Sequence, residues 1–466
     1  MSFTAPLRRS ALVLASAAAL AAAATPAVAD SGDGEPADRL DQEALFGEGD
    51  PTYDGVLRQS LALLAQHTAG YTPAEEAVDW LVEQQCDDGS YLSYRADTGE
   101  PCQDVTAADS NATAFAVQAL SALGGHEGSV ADGLRWLRGV QNADGGWSFN
   151  PGGASDANST AVVVGAFAAA GEDPAEVRLE DASPYDALGA LQLGCDATEE
   201  ERGAFAWQPD AESGELFAND VATVDAVLAA QGSGVLVDPE QAADAPAVEP
   251  PSCDGDTGET GETDETGETG ETTEDPTDGA TDGASDEATG EGVDDGAAEE
   301  QPVHLQVGAA GARYLAGALD AREQHLVTLA EDGEEQPDYA STAKAVLALV
   351  AGGEREAAEG PLDWLQEQHV SWTGYAKSPA ALATLVLAAH AGDVSPEDFG
   401  GTDLIAQLNA LGPGPEEAAD GAAADAASDG GGGVSVLLWV GGIALVLGIA
   451  VGVVLGRRRR AGRAAE

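Results

Sequence analysis

One phrase recurs along this chain and limits what it can fold into. A helix-like run ends in Gln, an Asp-Gly-Gly turn closes on an aromatic residue, and a polar cap then opens an apolar run rich in alanine. The fullest copy runs from Gly133-Leu134-Arg135-Trp136-Leu137 through Gln141-Asn142-Ala143-Asp144-Gly145-Gly146-Trp147-Ser148-Phe149. It continues in Asp156-Ala157-Asn158-Ser159-Thr160-Ala161 and an apolar run to Gly171. A second copy has Trp80, Gln84-Gln85, Asp87-Asp88-Gly89-Ser90-Tyr91 and Asp109-Ser110-Asn111-Ala112-Thr113. Looser copies carry Leu191-Gln192 with Phe205-Ala206-Trp207, Arg313-Tyr314-Leu315 with Asp338-Tyr339, and Asp363-Trp364-Leu365 with Trp372-Thr373-Gly374-Tyr375. Periods of roughly 40–60 residues signal a repeat architecture in which no unit buries its apolar face alone.

Each unit predicts two unlike helices. The first mixes Trp and Leu with charged residues, so one face is wet. The second is apolar nearly all round and must be covered on every side, which puts it in an inner layer. Asn158-Ser159-Thr160 is a helix-start signal and favours helix over strand for the Val162–Val164 run. The fold class expected is all-α, built of helical hairpin repeats.

The Gln, the Gly-Gly-aromatic turn and the capped inner helix together resemble the prenyltransferase and squalene-cyclase repeat. Gln141 to Trp147 is similar to its QW-type motif. About five units carry the resemblance, over most of the chain between its two ends. It implies an α/α toroid, a double ring of helices around a central cavity. Relatives of this type include terpenoid cyclases, protein prenyltransferase subunits, thioester domains and cobalamin carriers, so fold alone does not fix function.

The family's chemistry is not carried over. No DxDD acid motif stands in the repeats, and Asp294-Asp295 does not complete a DDxxD magnesium motif. The six histidines lack an Asp-x-Cys partner for a prenyltransferase zinc, and a Cys-Gly-Glu-Gln thioester is missing. An enzyme would need an unrecognised acid such as Asp87, Asp88 or Asp144. The leading expectation is therefore a non-catalytic binding protein. Its cargo is a small apolar or vitamin-like ligand, a corrinoid among the candidates, or a partner protein. No cofactor is assigned. A structural surface protein is the third reading.

Candidate ligand contacts are the turn aromatics Tyr91, Tyr94, Trp147, Phe149, Trp207, Trp372 and Tyr375, which would rim an apolar pocket. The polar caps Asp109, Asn111, Asp156 and Asn158 are candidates too, since free N–H groups at helix starts accept ligand oxygens. The competing roles are packing between units and plain helix capping. Asn111-Ala112-Thr113 and Asn158-Ser159-Thr160 also fit the N-glycosylation sequon.

The ends speak of export. Arg8 and Arg9, the apolar run from Ala11 to Ala24 and Ala27-Val28-Ala29 predict a signal peptide over 1–29. Residues 434–455 are uncharged and long enough to span a bilayer, with the arginines of the 456–466 tail marking the cytoplasmic side. Localisation is expected at the plasma membrane, single-pass, with the body of the chain outside. Between the ends lie repeat blocks at 50–237 and 303–410, an acidic linker at 238–302 that composition predicts to be disordered, and a flexible stalk at 411–433. The net charge of −64 opposes nucleic-acid binding. Cys86, Cys102, Cys195 and Cys253 suggest two disulfides in an oxidising compartment. Three pairings are open, with Cys86–Cys102 the local one.

Overall fold

The computed structural model describes residues 43–102, 107–244, 248–251, 253, 302–330 and 333–416. The signal peptide, most of the acidic linker and stalk, the 434–455 segment and the basic tail lie outside the described residues. Among the described residues no helix is long and apolar enough to cross a membrane.

Among the described residues the chain is all-α apart from one small hairpin. Its helices are α1 (Pro51–Thr68), α2 (Glu75–Glu83), α3 (Ser110–Leu123), α4 (Glu127–Gly139), α5 (Ala157–Ala169), α6 (Pro184–Ala190) and α7 (Asp220–Ala230). There follow α8 (Pro239–Asp244), α9 (Val303–Ala321), α10 (Tyr339–Ala351), α11 (Arg355–Gln368), α12 (Pro379–Ala391) and α13 (Leu404–Asn409). Strands β1 (Val327–Leu329) and β2 (Glu335–Pro337) pair antiparallel between α9 and α10.

Two layers form, as the helix compositions require. The apolar helices α1, α3, α5, α7, α10 and α12 pack side by side in that order, and α12 packs back on α1. The helices with a wet face cover them from outside: α2 on α1, α4 on α3, α6 between α5 and α7, α9 between α7 and α10, α11 on α10, and α13 between α12 and α1. The hydrophobic core is the seam between the layers, dominated by Ala, Leu and Val.

The repeated phrase has a physical job at each position. The Gln that ends an outer helix spans two backbone carbonyls, one in its own turn and one in the next unit. Gln85 Nε2 donates to Gly89 O and Ser129 O, Gln141 Nε2 to Gly145 O and Val177 O, and Gln192 Nε2 to Gly203 O and Val307 O. The turn aromatic is then pinned by the inner-helix threonine. Thr113, Thr160 and Thr223 accept from the backbone N–H of Tyr91, Trp147 and Phe205 at 2.8–3.0 Å. Trp147 is fully buried, and its indole N–H reaches Leu137 O at 2.7 Å. Aromatic placement in the turns is thus interlocking between layers.

Closure of the ring comes from the chain ends of the domain. Gly47 N–H donates to Leu411 O, Gln66 Nε2 donates to Asn409 Oδ1, and Glu416 N–H donates to Thr72 O. Two disulfides are present, the expected Cys86–Cys102 and Cys195–Cys253. The second ties the start of the acidic insert to the loop after α6. Ordered structure continues past Val237 into the stretch assigned to the linker: Asp238 caps α8, and α8 packs on α10.

Candidate functional site

All six inner helices start at the same end of the ring, and their shared register defines what faces its axis. The caps are Asp109, Asp156, Asn219, Asp338 and Ser378 for α3, α5, α7, α10 and α12. Helix α1 is kinked at Asp54 (φ −148°, ψ 16°), so its matching start is Gly55. There Val56 N–H donates to Ser93 O, as Ser110 N–H donates to Phe149 O and Ala157 N–H to Trp207 O.

Two residues after each start, a first tier is formed by Leu57, Asn111, Asn158, Val221, Ala340 and Ala380. One helical turn deeper, a second tier is formed by Leu61, Phe115, Val162, Asp225, Lys344 and Thr384. In the turn below that the inner helices are buried on every side, before they open again at their C-terminal ends. The mouth is therefore two turns deep. Its α1 and α3 side is mostly apolar, with Leu57, Leu61 and Phe115 beside Asn111.

Its α5–α7–α10 side is polar. Asn158 Nδ2 donates to Asp225 Oδ2 at 2.7 Å, and Lys344 Nζ forms an ion pair with Asp225 Oδ1. The Asp225 side chain is only 9% exposed, whereas Lys344 keeps 27% exposure. One buried carboxylate thus holds side chains from the helices on both sides of it. An ion pair so placed satisfies a charge that would be costly to bury alone.

The opposite end is shut by the chain itself. After α7 the backbone crosses the axis. Val235 N–H donates to Gln118 Oε1 of α3 at 3.1 Å, and Gly234 lies against Gly165 of α5. Beyond the axis, Arg355 of α11 donates to Pro239 O, and burial lowers the basicity of His390 of α12 against the opposing charges of Asp238 and Asp393. Val235 and Val237 are buried in the core. Two grooves lie at this shut end. One, of about 470 Å³, runs between Thr68, His390 and Glu397, and the other, of about 320 Å³, lies beside His126. Neither opens onto the repeated inner-helix positions.

The sequence candidates separate on this geometry. Tyr91 and Trp147 are fully buried and pack between layers, so they do not rim a pocket. Tyr94 stacks on Trp80, with centroids 6.4 Å apart, and Trp372 stacks on Tyr339 at 5.5 Å. Tyr375 meets the edge of buried His369 at 5.4 Å. Only Phe149 and Trp207, each 49% exposed, stand open at the mouth, beside the starts of α3 and α5. Exposed Phe217 lies in the loop entering α7, and exposed Tyr53 in the first turn of α1 before its kink. Asp87 carries no bond that marks it out. Asp88 and Asp144 close their own turns through Ser90 N–H and Gly146 N–H.

Asp109 and Asp156 are helix caps. Asp109 accepts from Asn111 N–H and Ala112 N–H at 2.8 and 3.0 Å, and Asp156 accepts from Ser159 N–H at 2.7 Å. Asn111 and Asn158 stand in the first tier, and the threonines of their sequons are fully buried. Sequence reasoning missed Asp225 and Lys344. Their signal was a charged residue at the same register position of two otherwise apolar helices.

Burial raises the Asp109 carboxyl to about 6, against the lowering effect of its two backbone hydrogen bonds. A folded-state value above the unfolded one gives stability that is present in acid and lost as pH rises through about 6. The loss is ~3 kcal/mol at most. Asp156 is shifted the same way, again by burial. Asp109→Asn keeps the cap and removes the titration. Its denaturant midpoint should therefore fall less than that of the native chain between pH 4.5 and 7, and parallel curves would contradict this.

Among the described residues no cluster of His, Cys, Asp and Glu is arranged to hold a metal ion. A scan of protein-family models and a comparison with curated proteins return no match to this sequence.

Proposed function

We propose that this chain is a non-catalytic binding module of the α/α-toroid type, displayed outside the cell on a single membrane anchor, and that its open mouth receives a segment of a partner protein. The observation that carries the reading is the pair Phe149 and Trp207. They occupy equivalent positions over neighbouring inner-helix starts, half-exposed, beside a mouth with one polar and one mostly apolar wall. Exposed aromatics around a partly polar recess are the composition of interface hot spots.

The kinship with prenyltransferase and squalene-cyclase repeats is supported by the paired inner and outer helices and by the Gln–Gly–aromatic turns. The filled axis weighs against a bulky cargo. Gln118, Gly165 and the Gly234–Val237 segment take the space below the second tier, so a corrinoid would have to rest on the rim. Export and anchoring rest on the sequence of the two ends.

The test is native mass spectrometry of the full chain extracted from its own host, beside the double variant Phe149→Ser/Trp207→Ser. A stoichiometric protein mass is expected on the native chain, falling at least ~10-fold in the variant while the helical spectrum stays unchanged, since loss of two hot-spot aromatics removes 2 kcal/mol or more. An equal load on both chains would rule out this rim as the site. A defined small-molecule mass would favour the vitamin-carrier reading.

A further inference from the structure

The Asn158–Asp225–Lys344 group is more than a satisfied charge. We propose that Lys344 and Asn158 become joined by an intramolecular isopeptide bond, with Asp225 carrying the proton.

The arrangement meets the requirements of the reaction. The nucleophile must be an amine freed of its proton, and the acceptor an amide whose nitrogen can be protonated as it leaves. Asp225 touches both: one carboxylate oxygen pairs with Lys344 Nζ, and the other accepts from Asn158 Nδ2 at 2.7 Å. The side chains come from α5, α7 and α10, three consecutive helices of a packed ring, so their approach is fixed by the fold. Such fixed proximity substitutes for high concentration. The Asp225 side chain is only 9% exposed, so the group that relays the proton is itself largely shielded from water.

The bonds balance without any oxidant or further reactant. Asp225 takes a proton from the Lys344 ammonium, and the free Nζ attacks Asn158 Cγ. The Cγ–Nδ2 bond breaks as Asp225 returns that proton to the departing nitrogen, and the second Nζ proton passes to Asp225, which is left neutral until solvent re-ionises it. The products are one amide between Lys344 Nζ and Asn158 Cγ and one ammonia. The link would tie α5 to α10, which lie on opposite sides of the acidic insert in sequence. It would hold the two parts of the ring together across the break, independently of any partner at the mouth.

The experiment is proteolytic digestion of the reduced and alkylated full chain, followed by peptide mass spectrometry. The expected species has the summed mass of the Asn158 and Lys344 peptides less one ammonia. Lys344→Arg, which keeps the cation beside Asp225, should show the two peptides separate. Asp225→Asn should form the link ~100-fold more slowly, the usual range for a lost acid–base group. Separate native peptides would overturn the proposal, as would conversion of position 158 to Asp without a link. A link to Asp225 with loss of water would overturn it too.

Discussion

Gly145→Ala should destabilise the domain by about 3–5 kcal/mol. Gly145 has φ +89°, and a Cβ built there would lie 2.2 Å from Ser183 O and 2.6 Å from Ser183 C. Neither side can yield cheaply. Ser183 caps α6 through a reciprocal pair with Asp186, and Gly145 O is one of the two carbonyls held by Gln141. The left-handed conformation alone costs an alanine roughly 1 kcal/mol, and the backbone clash adds the larger share. A melting temperature lower by about 10 °C is expected.

Two controls separate these contributions. Gly152 has φ +90° but nothing within 4 Å of its Cβ position, so Gly152→Ala should cost only about 1 kcal/mol. Gly139 ends α4 in open space without positive φ, so Gly139→Ala should be neutral or slightly stabilising. If Gly145→Ala melts like Gly152→Ala, the turn does not press on the next unit as the structure has it. Gly89 against Asp132 O and Gly203 against Ala310 O make the same approach at 2.3 Å, so the effect should recur there.

That recurrence explains which parts of the fold were legible. Gln, Gly and the aromatic each satisfy a backbone demand that few other residues meet, so the phrase survives wherever the demand is unmodified. Where another residue meets it, the phrase disappears from view. At α1, Gln59 Oε1 accepts from Phe46 N–H at 2.9 Å, the role threonine has elsewhere, and no Asp-Gly-Gly precedes it. After α11, buried His369 stands where Gln is expected, with Nδ1 near Leu365 O and Nε2 near Thr402 Oγ1. In the third unit a loop carrying Cys195 separates Gln192 from Gly203.

The candidate site was legible only in part, for a different reason. Asp109 and Asp156, offered by the sequence both as ligand contacts and as caps, do cap their helices, a use that an Asp before an apolar run commonly has. Phe149 and Trp147 differ by two residues, yet one stands open at the mouth and the other is sealed between layers. The residue directly after the Gly-Gly turn is the one pinned by the inner-helix threonine, as Trp147 is by Thr160. The carbonyl of Phe149 instead meets the start of a neighbouring helix, α3, and that meeting is decided by the ring.

The ring makes the second large effect a matter of closure. A chain ending after Thr402 should lose its cooperative unfolding transition, whereas one ending after Glu416 should keep it. The shorter chain lacks α13, whose Leu404, Ile405 and Leu408 are buried to 2% exposure or less. Burying three such side chains is worth ~5–9 kcal/mol, comparable to the whole stability of an ordinary domain. Gone as well are Leu411 O for Gly47 N–H, Asn409 for Gln66, and Gly412, which lies directly against the Phe46 ring. Those contacts are how α12 and α1 are held as neighbours from outside, so their loss leaves two apolar helices uncovered along one seam. Thermal melts followed by circular dichroism, with limited proteolysis across 43–73, give the comparison. Early cleavage and a broad melt in the shorter chain are expected. Equal melting temperatures would mean that the inner helices hold their circle without the last outer helix, and that the ring is stabilised unit by unit and not by closing on itself.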